Sequence, residues 1–303
     1  MTMAEQHKII TISDKAHGLP FSKGLLAQSL MATGLPPTKA YEVSSAVQED
    51  LRNRDETVIT SDRLRSIVAR VLEELHGEHY AERYVKLRRL SHLDRPLLVL
   101  IGGTTGVGKS TIATEVAYRL GINRISSTDS IREVMRAIFT KDLMPAIYES
   151  AFSAWRGLRV PVPEGANPVV VGFREQSAVV NTGVKALISR AALEGISMVI
   201  EGVHLVPGYL DPRQFATVRV VQLVIGVDDA QSHRSHFYIR EAQTHGIRSH
   251  RRYDESFEDI RVLGRYIESL AREHDIPVIY SHQLDRTIAD VIETIVSAAM
   301  DEE

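Results

Sequence analysis

The spacing of apolar positions changes character near residue 96. Before it, they recur with a helical period: Ala40, Val43, Val47 and Leu51 share one face, and Leu64, Ile67, Val68, Val71, Leu72 and Leu75 share another. The pattern predicts a short strand in His7 to Ser13, a turn through Asp14 to Pro20, and four helices. The first is capped by Ser22 and runs to about Met31, where Gly34 and the Pro36-Pro37 pair stop it. Thr38 is placed to cap the second and Ser61 the third, and the fourth spans His79 to about Leu90. Ser91 to Arg95 reads as a polar linker, so residues 1–92 and 93–303 are expected to be separate domains.

From Leu97 onward, short apolar runs alternate with helical patterns. Strands are expected near 97–102, 122–126, 197–201, 217–226 and 276–280, and helices near 109–120, 130–139, 173–194, 229–244, 256–272 and 285–299. This alternation predicts an α/β domain with a mainly parallel sheet, preceded by a small, mostly helical one. Ligands of such sheets gather at the carboxyl ends of the strands, so the residues just after each run carry the chemistry.

The first run ends in such a site. Gly103, Thr104, Thr105, Gly106, Val107, Gly108, Lys109, Ser110 and Thr111 form a G-x-x-x-x-G-K-S loop with a strand before it and a helix after it. Its glycines admit a polyphosphate close to the backbone, its N–H groups and the helix start favour the anion, Lys109 adds a charge, and Ser110 offers a hydroxyl to Mg²⁺. The loop therefore predicts ATP with Mg²⁺.

Composition narrows the class. The net charge of −3 shows no basic excess of the kind nucleic acid requires, and the absence of cysteine excludes thiol nucleophiles and zinc-thiolate sites. No apolar run reaches the roughly 20 residues of a membrane span, and the polar start is no secretory signal, so a cytoplasmic enzyme is expected. Oligomeric state is left open.

Three further stretches carry chemistry. After the second strand, Asp129 can orient an acceptor hydroxyl or take its proton, or it can simply cap the helix, and Arg132 follows one turn later. The strand at 198–201 ends in Glu201, positioned to reach Mg²⁺, with His204 lining the same cleft. The basic segment His233 to Tyr253 contains Arg234, Arg240 and Arg248, with Gly246 as a hinge, and resembles a kinase lid more than a nucleic-acid groove. Arg156 and Arg174 lie in the segment where small kinases bind the acceptor, and with Arg132, His204 and Arg248 they are candidates for an anionic substrate.

Two resemblances follow from these residues. PFSKGLLAQSL, ITSDRLRSIVARVLEEL and HYAERYVKLRRL, with Phe21, Tyr84 and Arg88, are similar to the ATP-cone, a regulatory nucleotide-binding module. That similarity implies a regulatory nucleotide, with Lys15, Lys23 and Arg88 as phosphate contacts. GGTTGVGKST, STDSIREVMR, GFREQ, VIEGVHLVPG and HRSHFYIREAQTHGIRSHRRY together resemble the 2-phosphoglycerate kinase family over nearly the whole chain. The family implies transfer of the ATP γ-phosphoryl to the 3-hydroxyl of 2-phosphoglycerate. Lys109, Asp129, Arg234 and Arg240 would be catalytic, and Ser110 and Glu201 would hold the metal. The residues alone leave open a kinase for another small acid, sugar or nucleoside, and an ATP-sensing regulatory protein.

Overall fold

The structure is a computed structural model and describes residues 10–13, 18–54, 56–90, 93–243 and 250–300. The chain divides into two compact units that part between Leu93 and Asp94.

Among the described residues, the amino-terminal unit combines a small three-stranded sheet with helices that precede and follow its third strand. Strand β1 (Thr11–Ile12) pairs antiparallel with β2 (Leu19–Pro20) and parallel with β3 (Val58–Ile59). Ser22 caps helix α1 (Lys23–Met31), its hydroxyl accepting from the Leu25 N–H at 3.3 Å. Helix α2 (Pro37–Arg52) opens without a side-chain cap, and Thr38 lies inside its first turn. Proline at the first helical position has no N–H to satisfy, which removes part of the need for one. Thr60, not Ser61, caps α3 (Ser61–His76), and α4 (Glu78–Leu90) closes the unit. Leu30, Val43, Val47, Leu51, Val68, Leu72 and Tyr84 contribute to its core, so the helical stripes face inward as their spacing requires, except that Leu75 at the end of the second stripe is exposed. Residues 7–9 of the expected first strand, and Lys15, lie outside the described residues.

The second unit is built on a five-stranded, all-parallel sheet. Its strands are β4 (Leu97–Gly102), β5 (Ile125–Ser127), β6 (Met198–Glu201), β7 (Arg219–Gly226) and β8 (Val278–Tyr280), in the spatial order β5-β6-β4-β7-β8. Helix α5 (Lys109–Leu120) follows β4, and α6 (Thr128–Ile138) follows β5. A stretch with two 3₁₀ turns, Pro145–Tyr148 and Ala151–Gly157, leads to α7 (Pro168–Glu194). Between β7 and β8 come α8 (Ala230–Gln243), α9 (His250–Glu255) and α10 (Phe257–Glu273), and α11 (Leu284–Met300) ends the fold.

Helix α7 begins five residues before its expected start at 173. Asn167 caps it by accepting from the Val169 N–H at 2.9 Å, and Pro168 occupies the first position. The β-branched run Val169-Val170-Val171 masks this start in the sequence, because such residues favour strands when nothing else decides. The segment GFREQ is therefore helical.

Register places the functional ends of the strands in one row. Glu201 stands opposite Ile101 of β4 on one side and opposite Ser127 of β5 on the other. Parallel strands cannot be joined by tight turns, so each carboxyl end instead feeds a loop or a helix start on the same edge of the sheet. That edge carries the phosphate loop, the start of α6 and the turn after Glu201.

Candidate active site

The phosphate loop is held from three directions. Lys109 is buried, and its Nζ donates to the Thr104 carbonyl at 2.6 Å. Burial lowers its pKa, while the nearby carboxylates of Glu201 and Asp129 oppose that shift and favour the ammonium form. The Thr105 and Gly106 carbonyls accept from imidazoles of α8, His233 Nε2 and His236 Nδ1, both at 2.8 Å. Gly106 has a φ of +87°, and a Cβ there would run into the Phe237 ring. The hydroxyl of Thr104 is spent on the Ile260 carbonyl, and Val107 is buried in packing. The loop's capacity for an anion thus lies in its backbone, Lys109 and Ser110.

Ser110 donates to Glu201 Oε1 at 2.9 Å. Register makes this pair, since Glu201 ends β6 beside the strand that feeds the loop. Gly202 turns the chain away at a φ of +150°, its N–H donating to the Ile101 carbonyl at 3.0 Å. A Cβ on Gly202 would overlap the Thr128 hydroxyl, so the close approach of this turn to α6 requires glycine.

After β5, Ser127 caps α6 by accepting from the Ser130 N–H at 3.0 Å. This corrects the capping role considered for Asp129, which lies within the first turn with its side chain 58% exposed. Arg132 lies one turn on, its Nη2 at 3.7 Å from Asp129 Oδ1, while its Nη1 donates to the Glu149 carbonyl at 2.8 Å. Its buried Nε has no hydrogen-bond partner among the described residues. The same Nη2 lies 3.8 Å from Glu133 Oε1, so the guanidinium is held among two carboxylates and a carbonyl.

His204 does not line a cleft. It is fully buried and both ring nitrogens are engaged, which corrects its assignment to the substrate. Gln176 directs its amide nitrogen at the carbonyls of Ala146 (2.6 Å) and Glu149 (3.0 Å), so its oxygen faces His204 Nε2 at 2.9 Å. Nε2 must then carry the proton, and Nδ1 accepts from the Thr128 hydroxyl at 2.9 Å. Asn181 holds the backbone of the same residue, donating to the His204 carbonyl at 2.8 Å. Burial pushes the His204 pKa down to about 3, with Asp129 opposing and Arg132 and Lys109 adding to the shift. His204 is thus a neutral joint between the turn after Glu201, α6 and α7. Sequence gave no signal for Thr128 or Gln176 as its partners.

Of the basic segment, Arg234 lies on α8 with its guanidinium 3.9 Å from the Phe257 ring centroid and Nη1 at 3.1 Å from Asp254 Oδ1. Arg240 belongs to the same helix. Arg248 and Gly246 lie outside the described residues. Arg156 and Arg174 are exposed, and Arg156 rests over Trp155 at 5.4 Å. The structure brings together Lys109, Ser110, Glu201, Asp129 and Arg132 on one sheet edge, and leaves Arg156 and Arg174 on the surface.

A parallel sheet in this order, with a phosphate loop after its central strand and a carboxylate on the neighbouring strand, defines a P-loop phosphotransferase. The ATP cone domain family matches residues 17–93. The 2-phosphoglycerate kinase of Methanothermobacter thermautotrophicus is 42% identical over 94% of this chain and 92% of its own length. That of Methanopyrus kandleri is 39% identical over 96% and 88%, and that of Pyrococcus furiosus 38% over 93% and 91%. The chain belongs to the 2-phosphoglycerate kinase family and is an ATP-dependent kinase.

The two buried imidazoles make stability sensitive to acid. Desolvation also pushes His233 down, to about 4, although its hydrogen bond to Thr105 opposes this. Both folded-state values lie below the ordinary 6.5, so the unfolded chain binds more protons in acid. Their stabilising contribution is complete above about pH 6.5 and is lost as pH falls toward 4 and then 3, at up to about 1.4 kcal/mol per pH unit for each imidazole. Urea unfolding followed by circular dichroism checks this: His233→Gln, which cannot titrate, should lose less stability than the parent between pH 6.5 and 4. An equal loss would rule out a contribution from His233.

Proposed function

We propose that this chain transfers the γ-phosphoryl group of ATP to the 3-hydroxyl of 2-phosphoglycerate, giving 2,3-bisphosphoglycerate and ADP. The observation that carries the reading is the row of strand ends. Lys109 and the Ser110–Glu201 pair stand after β4 and β6, and Asp129 with Arg132 stands after β5, two strands from the loop. Strands two places apart are separated by about 10 Å, room for the end of a triphosphate and a small acceptor. Relatives that match over nearly the whole chain bear the name 2-phosphoglycerate kinase.

Each residue has a task in this mechanism. Backbone N–H groups from Gly103 to Thr111 and the ammonium of Lys109 bind the phosphates and stabilise charge that grows on them in the transition state. Asp129 orients the acceptor hydroxyl and takes its proton as the oxygen attacks the γ-phosphorus and ADP leaves. Arg132 directs its guanidinium charge at the acceptor's phosphate or carboxylate, and the exposed Arg156 and Arg174 complete the anion site together with Arg248. Arg234 and Arg240 bring positive charge from α8 to the transferring group.

Mg²⁺ fits the donor set, with Ser110 Oγ and Glu201 as hard oxygen ligands. Among the described residues no three acidic or imidazole side chains converge, so the ion would depend on nucleotide phosphates and water for its remaining ligands. It would supply positive charge that offsets the negative charge of the phosphates. In the amino-terminal unit, a regulatory nucleotide contacts Lys15, Lys23 and Arg88. Among the described residues no helix is long and apolar enough to cross a membrane. The proposed place of the reaction is the cytoplasm.

A coupled ADP-release assay with 2-phosphoglycerate tests the reading. The parent should turn over, and Lys109→Ala should lose about 10²-fold or more in kcat/KM with its fold intact by circular dichroism. Turnover with another small acid and none with 2-phosphoglycerate would replace the acceptor. Asp129→Asn should lower kcat by at least about 10²-fold with little change in the KM for ATP, because the group acts in the transition state. Retained kcat would remove Asp129 from the chemistry. Deleting residues 1–93 should leave a hyperbolic ATP curve and one nucleotide site by calorimetry, where the full chain has two sites coupled by about 1–3 kcal/mol. One site and identical curves in both forms would make the cone a structural cap.

A further inference from the structure

Helix α8 touches the phosphate loop through two histidines that the phosphoryl-transfer mechanism does not use. His233 is buried and its Nε2 faces the Thr105 carbonyl, while His236 Nδ1 faces the Gly106 carbonyl. A carbonyl oxygen only accepts, so both nitrogens carry protons. The remaining nitrogen of His233, Nδ1, is buried with no partner among the described residues, as expected of a neutral ring held in one tautomer by a single bond.

Peptide geometry gives these bonds a consequence. In a trans peptide the C=O and the following N–H point in opposite directions. The Thr105 carbonyl shares its plane with the Gly106 N–H, and the Gly106 carbonyl shares its plane with the Val107 N–H. An imidazole that holds each carbonyl outward therefore holds the next N–H inward, where an anion-binding nest needs it. Glycine at 106, at a φ of +87°, would otherwise leave both planes free to rotate. The Phe237 ring packs against Gly106 and closes the third side. This anchor is itself rigid: Phe237 stacks on Tyr253 at 4.8 Å with 5° between planes, and His233 stacks on Phe237 at 5.3 Å.

We propose that His233 and His236 are positioning residues of the phosphate loop, fixing the two peptide planes whose N–H groups face the nucleotide. Arg234 sits between them on the same helix, so the bonds that set the loop also set the distance from the loop to that guanidinium. The inference rests on the nucleotide reading of the loop. It concerns ATP binding and does not depend on the acceptor.

Isosteric variants separate a donor from a space-filler. Asparagine places its amide nitrogen near the position of imidazole Nδ1, and glutamine places its own near Nε2. In His236→Ala, the Kd for ADP by calorimetry and the KM for ATP should each rise about tenfold, the effect of one oriented hydrogen bond. The KM for the acceptor should stay at the parent value. His236→Asn should recover most of the affinity, and His233→Gln should bind better than His233→Ala. Thermal melts of all four variants identify any that fail to fold, and His236, only half-buried, is the safer site. ADP binding by the parent tests the loop reading on its own. On a parent that binds, unchanged affinity in His236→Ala, or equal losses in His236→Ala and His236→Asn, would overturn the positioning role.

Discussion

A loop that binds phosphate through its N–H groups must turn its carbonyls away, and buried carbonyls need donors. Three consecutive carbonyls here find them in side chains from different places: Thr104 in Lys109, Thr105 in His233 and Gly106 in His236. A fully buried carbonyl such as that of Thr104 costs about 1–3 kcal/mol without a donor, and the partly buried ones of Thr105 and Gly106 cost less, so a loop lacking these partners would relax by rotating its peptides. Much of the second unit meets this requirement. Strand β4 delivers the loop, α10 accepts the Thr104 hydroxyl at Ile260, and α8 is held against the loop by an aromatic cluster in which Phe257 meets His233 and Phe237 edge-on.

The second constraint is a neutral imidazole sealed under the sheet edge. His204 links Thr128, beside Asp129, to Gln176, which in turn holds the carbonyls of the 3₁₀ segment that Arg132 also reaches. The turn after Glu201, the start of α6 and helix α7 thus share one hydrogen-bonded joint, and their separation is fixed by buried bonds instead of by loops. Hydrogen bonds of this kind are strong in a low dielectric and costly to leave half made, so the arrangement has few alternatives.

Local patterns in the chain made much of this legible. The loop from Gly103 to Thr111 needs only its own spacing, because glycine, lysine and serine act through short-range backbone geometry. The helical stripes around Val43 and Val68 needed only a period, and Ser22 needed only to precede a helix. Boundaries were less secure where two local preferences compete. Ser127 and Asp129 are both good caps, and the first in line took the role. At Val169 to Val171 a strand-like composition hid a helix start that Asn167 and Pro168 had already set.

His204 marks the limit of local reading. Its partners are 76 and 28 residues away, and whether an imidazole is a ligand or a joint depends on what surrounds it. The same holds for His233 and His236, whose partners lie 128 and 130 residues back in the chain. By itself the sequence determined the α/β class, the phosphate loop, and the residue types that end each strand, since these follow from period, glycine placement and charge within a few positions. Only the tertiary structure decided which strand ends share a row, which histidines are buried, and where the loop's carbonyls are satisfied. Sheet register and burial arise from contacts between distant segments, and no window of the chain contains them.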